Sequence, residues 1–167
     1  MYLEELLRQI EAGAGDHRFY YLALMGALAL PDICAGLAAP DGLTTAQRYQ
    51  DWYAAYAANK FSFLSAEDCY RFRCSMLHQG RTMHPKGSFS RIIFIEPQAT
   101  SNIFHMNILH DALNIDILWF CRDMVASARK WLTDVQDTEP FMTNYASFVR
   151  RYPNGFPPYI VGFPVIS

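Results

Sequence analysis

The sequence predicts a mainly α-helical fold, a bundle of about five helices with one small β-hairpin inserted between them. Three observations predict it. Apolar residues recur at helical spacing in one segment after another, with cap and stop residues at the segment ends. One short run, Arg91-Ile92-Ile93-Phe94-Ile95, is instead β-branched and stops at Glu96-Pro97, as a strand does. Of the 167 residues, 51% are apolar and only 18% charged, which suffices for one sizeable core. The whole chain, 1–167, therefore reads as a single domain, with the hairpin insertion at 89–110 and an apolar C-terminal tail at 152–167.

Met1 to Ala12 is predicted as an amphipathic helix on Leu3, Leu6, Leu7 and Ile10, ended by Gly13-Ala14-Gly15. Asp16 then caps a second helix from about His17 to Ala39. Between Phe19 and Ala39 the one charged residue is Asp32, so the stretch approaches membrane-span length. Pro31 and Asp32 inside it, together with many weakly apolar Ala and Gly residues, favour a central core helix over insertion. Pro31 lacks a backbone donor and is expected to kink or split this helix. A carboxylate in so apolar a run needs a partner. Asp32 either caps the second half of the broken helix or pairs with Arg73 or Arg71.

Pro40-Asp41-Gly42 is a turn, and Thr44 or Thr45 caps a third helix to about Asn59. Its stripe of Tyr49, Trp52, Tyr53 and Tyr56 reads as core rather than as a base-stacking platform. The fourth helix opens at Ser65, with Glu67 and Asp68 in its first turn, and stops at Gly80. After the strand at Arg91–Ile95, the loosely alternating stretch Ile103–Leu109 is its expected antiparallel partner, joined through Gln98 to Asn102. Asn114 or Asp116 starts a long helix to about Val135, apolar on Ile117, Phe120, Cys121, Met124, Ala128, Trp131 and Leu132. One more helix is expected around Phe141, Tyr145 and Phe148. Tyr152 to Pro158 should lack regular structure, and Tyr159 to Ile166 should pack on the body or on a second subunit.

The fourth helix carries the chemistry. Arg71, Cys74, Ser75 and His78 stand at i, i+3, i+4 and i+7, so they share a face. Arg73 precedes His78 by five residues, about 140° away on an ideal helix, though its long arm can still bring its head to the imidazole. Helix geometry thus favours Arg71 as the partner of His78. An imidazole exchanges protons near neutral pH, so it can take or give one in a reaction. A guanidinium is a fixed cation with a forked donor set that matches phosphate.

Arg73-Cys74-Ser75-Met76-Leu77-His78, late in a capped helix that follows a long apolar one, resembles the signature of the HEPN superfamily (higher eukaryotes and prokaryotes nucleotide-binding domains). Its members place an arginine four to six positions before a histidine near the end of a helix. The resemblance implies a HEPN-like helical bundle that binds RNA or nucleotide, and in active members a metal-independent endoribonuclease of the toxin or defence type. It selects Arg73 and His78 as the catalytic pair, with Arg71, Asp32, Cys74 and Ser75 in support. It implies no cofactor, no metal, a homodimer joined at the signature helices, and a cognate antitoxin as a candidate partner. Cys74 stands where many members carry Asn, Asp or His. That departure, with a net charge of −2, favours the alternative of a catalytically inactive, dimeric HEPN-like binding module.

Other chemistries find little support. No glycine-rich phosphate loop and no Gly-x-Ser-x-Gly elbow occurs. Cys34, Cys69, Cys74 and Cys121 form no Cys-x-x-Cys pair and read as reduced thiols of a cytoplasmic protein. His105 and His110, five apart in the expected hairpin, fall on opposite faces of a strand and are a poor metal pair, even with Asp111 beside them.

Overall fold

The computed structural model describes residues 2–97 and 104–167. Among them are six α-helices, α1 Tyr2–Gly15, α2 Tyr20–Ala38, α3 Ala46–Tyr56, α4 Ala66–Gln79, α5 Ile117–Val135 and α6 Glu139–Tyr145. The mainly α-helical expectation therefore holds. Helix α2 is the centre, in contact with all five others. It is apolar around most of its circumference, and beyond its exposed first turn, Tyr21 and Leu22, its residues are buried or half-buried against these neighbours. Its 19 residues at mean hydropathy 1.6 would also meet a length-and-composition test for a membrane span.

Three expectations for this region need correction. Pro31 neither splits nor ends α2, which runs unbroken through it. A mid-helix proline costs about 3 kcal/mol, and packing on five helices offsets it, since most helical stability in a protein comes from burial of the helix surface. Gly13-Ala14-Gly15 does not stop α1 either. These residues lie in its last turn, and Gly13 and Ala14 are buried against α2. The approach is closest at Gly26 of α2, where a Cβ would sit 2.9 Å from Cγ1 of Ile10. Small residues in this region mark a tight helix crossing, not a break. Asp16 does not cap α2. That place belongs to Phe19, which makes no side-chain cap bond.

The caps of α3 and α4 are as expected. Oγ of Thr45 accepts from the Arg48 amide, and Oγ of Ser65 accepts from the Asp68 amide at 3.0 Å. Gly80 closes α4 in the left-handed region, φ 63°, and the amides of Gly80 and Arg81 return to the carbonyls of Met76 and Ser75. The α3 aromatics are core: Tyr49 and Tyr53 are fully buried and donate to the carbonyls of Leu28 and Leu64. Asp116 caps α5, and the apolar face read from the sequence is buried except for the half-buried Leu132.

The sheet differs from the expected hairpin. Strand β1, Arg91–Ile95, forms, but its partner is β3, Ala112–Asp116, running parallel to it. Strand β2, Asn107–Leu109, pairs antiparallel with β3 on the other side, so the order is β1-β3-β2. The expected connection Gln98–Asn102, and Ile103, lie outside the described residues. Strand β3 takes the centre because Ala112, Leu113, Asn114 and Ile115 are all buried, whereas β2 is largely exposed and serves as an edge. Its pairing with β1 needs a long crossover, which adjacency in sequence does not reveal.

The tail is also more regular than expected. Strands β4, Arg151–Tyr152, and β7, Val165–Ile166, form one two-stranded ribbon; β5, Gly155–Phe156, and β6, Ile160–Val161, form another. Tyr159, Val161, Phe163 and Ile166 are exposed, so these apolar tail side chains are not packed on the body of their own chain.

Candidate functional site

Helices α2 and α4 meet at three polar side chains. Asp32 projects from the later half of α2, Arg73 from the middle of α4, and His78 from α4's last turn. Nε of Arg73 donates to Oδ2 of Asp32 at 2.6 Å. Nη1 of Arg73 lies 3.3 Å from Nε2 of His78 and 3.8 Å from Sγ of Cys74. Asp32 is thus a partner and not a helix cap, because the unbroken α2 leaves no helix start to cap. Of the two arginines, the one that reaches the imidazole is Arg73. His78 leans back along the helix, as helical side chains do, and the arginine arm covers the remaining angle.

The other side chains sort to either side of this group. Cys74 is half-buried and touches the guanidinium, and the ring of Tyr70 lies under it, 5.9 Å from centroid to Cζ. Oγ1 of Thr44 donates to the second oxygen of Asp32 at 3.5 Å. Arg71 is not part of the group, contrary to the shared-face expectation. It forms an ion pair with Glu67 one turn back and lies 3.6 Å from Asp68. Two carboxylates within a turn hold it to that flank. Ser75 is likewise excluded. It is 1% exposed on the core side of α4, beside Phe72 and Met76, and among the described residues its Oγ has no hydrogen-bond partner.

The electrostatics follow from partial burial. The Asp32 and Arg73 side chains are 13% and 19% exposed. Burial pushes the Asp32 carboxyl above its ordinary range, and the attraction of Arg73 and the hydrogen bonds from Arg73 and Thr44 offset this only in part. Burial works most strongly against the Arg73 cation, but the Asp32 charge and the hydrogen bonds to Cys74 and Asp32 together outweigh it and hold the guanidinium above the ordinary arginine value. The first shift argues for a weak pair and the second for a strong one. The 2.6 Å contact decides for an ionised pair, since that length is characteristic of a charge-assisted bond.

The contact with His78 has a direction. A guanidinium can only donate, so Nε2 of His78 must present its lone pair and the ring proton must sit on Nδ1. Unlike the pair beneath it, His78 is exposed. Beside Asp32 an open groove runs between α2, the 42–44 turn and α6, lined by Ile33, Gly36, Leu43, Asn144 and Phe148 among others. Nδ2 of Asn144 anchors the groove wall by donating to the carbonyls of Leu37 and Ala39 at 3.0 and 2.8 Å. The arrangement offers a phosphate one fixed cation and one imidazole in contact with each other at the surface.

Two members of the group escaped sequence reasoning. Tyr70 is one turn before Arg73, so helical spacing contained the signal. Thr44 reaches Asp32 through the α2–α3 turn and left none. His105 and His110 lie elsewhere. His105 is half-buried near Trp119, and burial lowers its pKa. His110 and Asp111 form the β2–β3 turn, both at positive φ. No family model, no curated protein and no solved structure matches this chain.

Proposed function

We propose that this chain is a HEPN-like domain that binds RNA or nucleotide at Asp32, Arg73 and His78, and that its dimer is a metal-independent endoribonuclease of the toxin or defence type, acting in the cytoplasm. The observation that carries the reading is the contact between Arg73 and His78, with Asp32 behind the arginine. Arg73 would hold a phosphate oxygen and stabilise the added charge of a phosphorane-like transition state. Asp32 keeps the guanidinium from swinging away. His78 would take the proton of the 2′-hydroxyl on Nε2, giving up its contact with Nη1 of Arg73 as the phosphate takes that donor and the 2′-oxygen attacks the adjacent phosphorus. The bond to the 5′-oxygen breaks, and a second group must protonate the leaving oxygen.

One chain supplies one imidazole here, so the full acid–base cycle requires a second His78 from a paired copy. A cognate antitoxin would then act by covering the site or separating the copies. The test is cleavage of unstructured RNA in chelator, with His78→Ala and Arg73→Ala as comparisons. His78→Ala should slow cleavage by about 10²–10⁴. Equal rates for it and the native protein would remove the catalytic claim.

A second reading keeps the site and drops the chemistry. Cys74 occupies a position that is polar in active members, and one face of Arg73 is already committed to Asp32. It predicts that native protein binds RNA without cutting it, and that Arg73→Ala releases it.

A further inference from the structure

The chain's charge is strongly uneven, and the uneven part adjoins the site. Residues 69–95 contain Arg71, Arg73, Arg81, Lys86 and Arg91 and no Asp or Glu. That span therefore carries +5 in a chain whose net charge is −2, and the rest of the chain carries −7. Its loop lies back along α4. It leaves the helix at Arg81, beyond His78, and by Ser88 it has returned to the first turn, where the Ser88 amide donates to Oδ1 of Asp68 at 3.0 Å. At Thr82 its carbonyl accepts from Ile92 of β1. The loop backbone is thus tied at both ends.

Arg81, Lys86 and Arg91 are exposed, and none of them forms an ion pair among the described residues. Arg91 also lines a groove between the first turn of α2 and β1, together with Tyr20, Tyr21, Met76 and Phe94; Glu96 is the carboxylate in its wall. Tyr21 is 77% exposed. From Tyr21 to Asp32 is eleven residues of helix, about 16 Å at 1.5 Å per residue. That is the length of about five nucleotides stacked at 3.4 Å each.

Resting on the phosphate-binding reading of Arg73 and His78, we infer that the surface formed by Arg81, Lys86, Arg91 and the Tyr21 groove is a track for single-stranded nucleic acid running away from the site. Unpaired cations fit a backbone, and an exposed aromatic in a groove fits an unstacked base, the combination that single-strand binders use. A mononucleotide at Arg73 and His78 would not reach it. The partner is accordingly a chain of several nucleotides.

The experiment is fluorescence anisotropy with a labelled 12-nucleotide RNA and a labelled dinucleotide across a salt series. The proteins are the native chain, the triple variant Arg81→Gln/Lys86→Gln/Arg91→Gln, Tyr21→Ser and Arg73→Gln. The triple variant should bind the 12-mer at least about tenfold more weakly and lower the salt slope by about two, near 0.7 per lost contact. Its dinucleotide affinity should be unchanged. Tyr21→Ser should weaken the 12-mer alone. A triple variant with native 12-mer affinity and slope overturns the track, even if Arg73→Gln still abolishes dinucleotide binding. Conversely, a 12-mer that depends on the three loop cations but ignores Arg73→Gln leaves the track standing and removes the site reading beneath it. Binding of the native protein to vesicles containing one-third phosphatidylserine, with none to the RNA, overturns it in favour of a membrane surface.

Discussion

Replacing Asp32 and Arg73 singly and together tests whether their ion pair exists for function or for the fold. Arg73→Met leaves the Asp32 carboxylate, only 13% exposed, without its cation. Breaking a fully buried pair costs 3–5 kcal/mol, and partial exposure reduces that here to about 2–3 kcal/mol. Asp32→Leu leaves a cation that can extend toward water on its long stem, so about 1–2 kcal/mol is expected. The double variant removes both desolvation costs and fills the space with apolar atoms, giving a change near zero, within about 1 kcal/mol. The coupling is therefore about 4 kcal/mol, in line with the roughly 4 kcal/mol of two unit charges 4 Å apart at an effective dielectric of 20. Urea unfolding followed by fluorescence of Trp52, Trp119 and Trp131 measures all four proteins. RNA binding should be lost in the double variant although its stability is native. A double variant destabilised by the sum of the singles would show that the pair does not couple as its geometry says. One that still bound RNA would detach the pair from the site.

Three further outcomes follow from the same coordinates. Burial raises Asp32, so its contribution to stability is present in acid and lost as pH rises through its folded pKa; donors from Ser88 and Ser65 and the charge of Arg71 outweigh burial and lower Asp68, so its contribution is present above the ordinary value of 3.8 and lost as pH falls through its folded pKa. Relative to Asp32→Asn and Asp68→Asn, the native protein should therefore show stability differences that change with pH in opposite directions, readable from urea midpoints between pH 3 and 7. Arg129 binds both oxygens of Glu4 and both of Glu11, joining α5 to α1, and Arg129→Ala should cost about 1–2 kcal/mol by the same assay, reduced from a buried network by its one-third exposure. In nitrogen-15 spectra of the native protein, the His78 ring should show an unprotonated Nε2 and a protonated Nδ1, and Arg73→Met should release that preference.

What the sequence made legible was local. Ser65 with Asp68 three residues on, and Gly80 past the last turn, are signals whose partners lie within one turn, and both caps form as read. The strand at Arg91–Ile95 was equally visible in its β-branched run. Its partner was not, for two reasons. The pairing with Ala112–Asp116 is parallel and crosses a long connection, and the β2–β3 turn is built on His110 and Asp111 at φ 48° and 63° in place of the usual Asn-Gly. Pro31 misled because intrinsic propensity was outweighed by the packing of α2 on the five other helices. In the site, helical phase alone pointed to Arg71, and the choice was reversed by where the carboxylates lie. Glu67 and Asp68 hold Arg71, while Asp32, on another helix, draws Arg73 across.

In the proposed site, Asp32 would let a net-acidic chain keep phosphate binding selective. A guanidinium this close to solvent, with no carboxylate behind it, would be flexible and would bind any anion. Pairing through Nε fixes the plane of the group yet leaves the Nη side directed at His78, so the charge is positioned and not cancelled. The cost is borne by Asp32, whose carboxyl is raised by the same burial that orders the pair. A purely structural staple between α2 and α4 would be better made from two apolar side chains, which need no desolvation. A largely buried ion pair in contact with an exposed imidazole, next to the acid-free span 69–95, is the arrangement that favours the proposed site over a staple. The double replacement above distinguishes the two, because only a site loses binding while keeping stability.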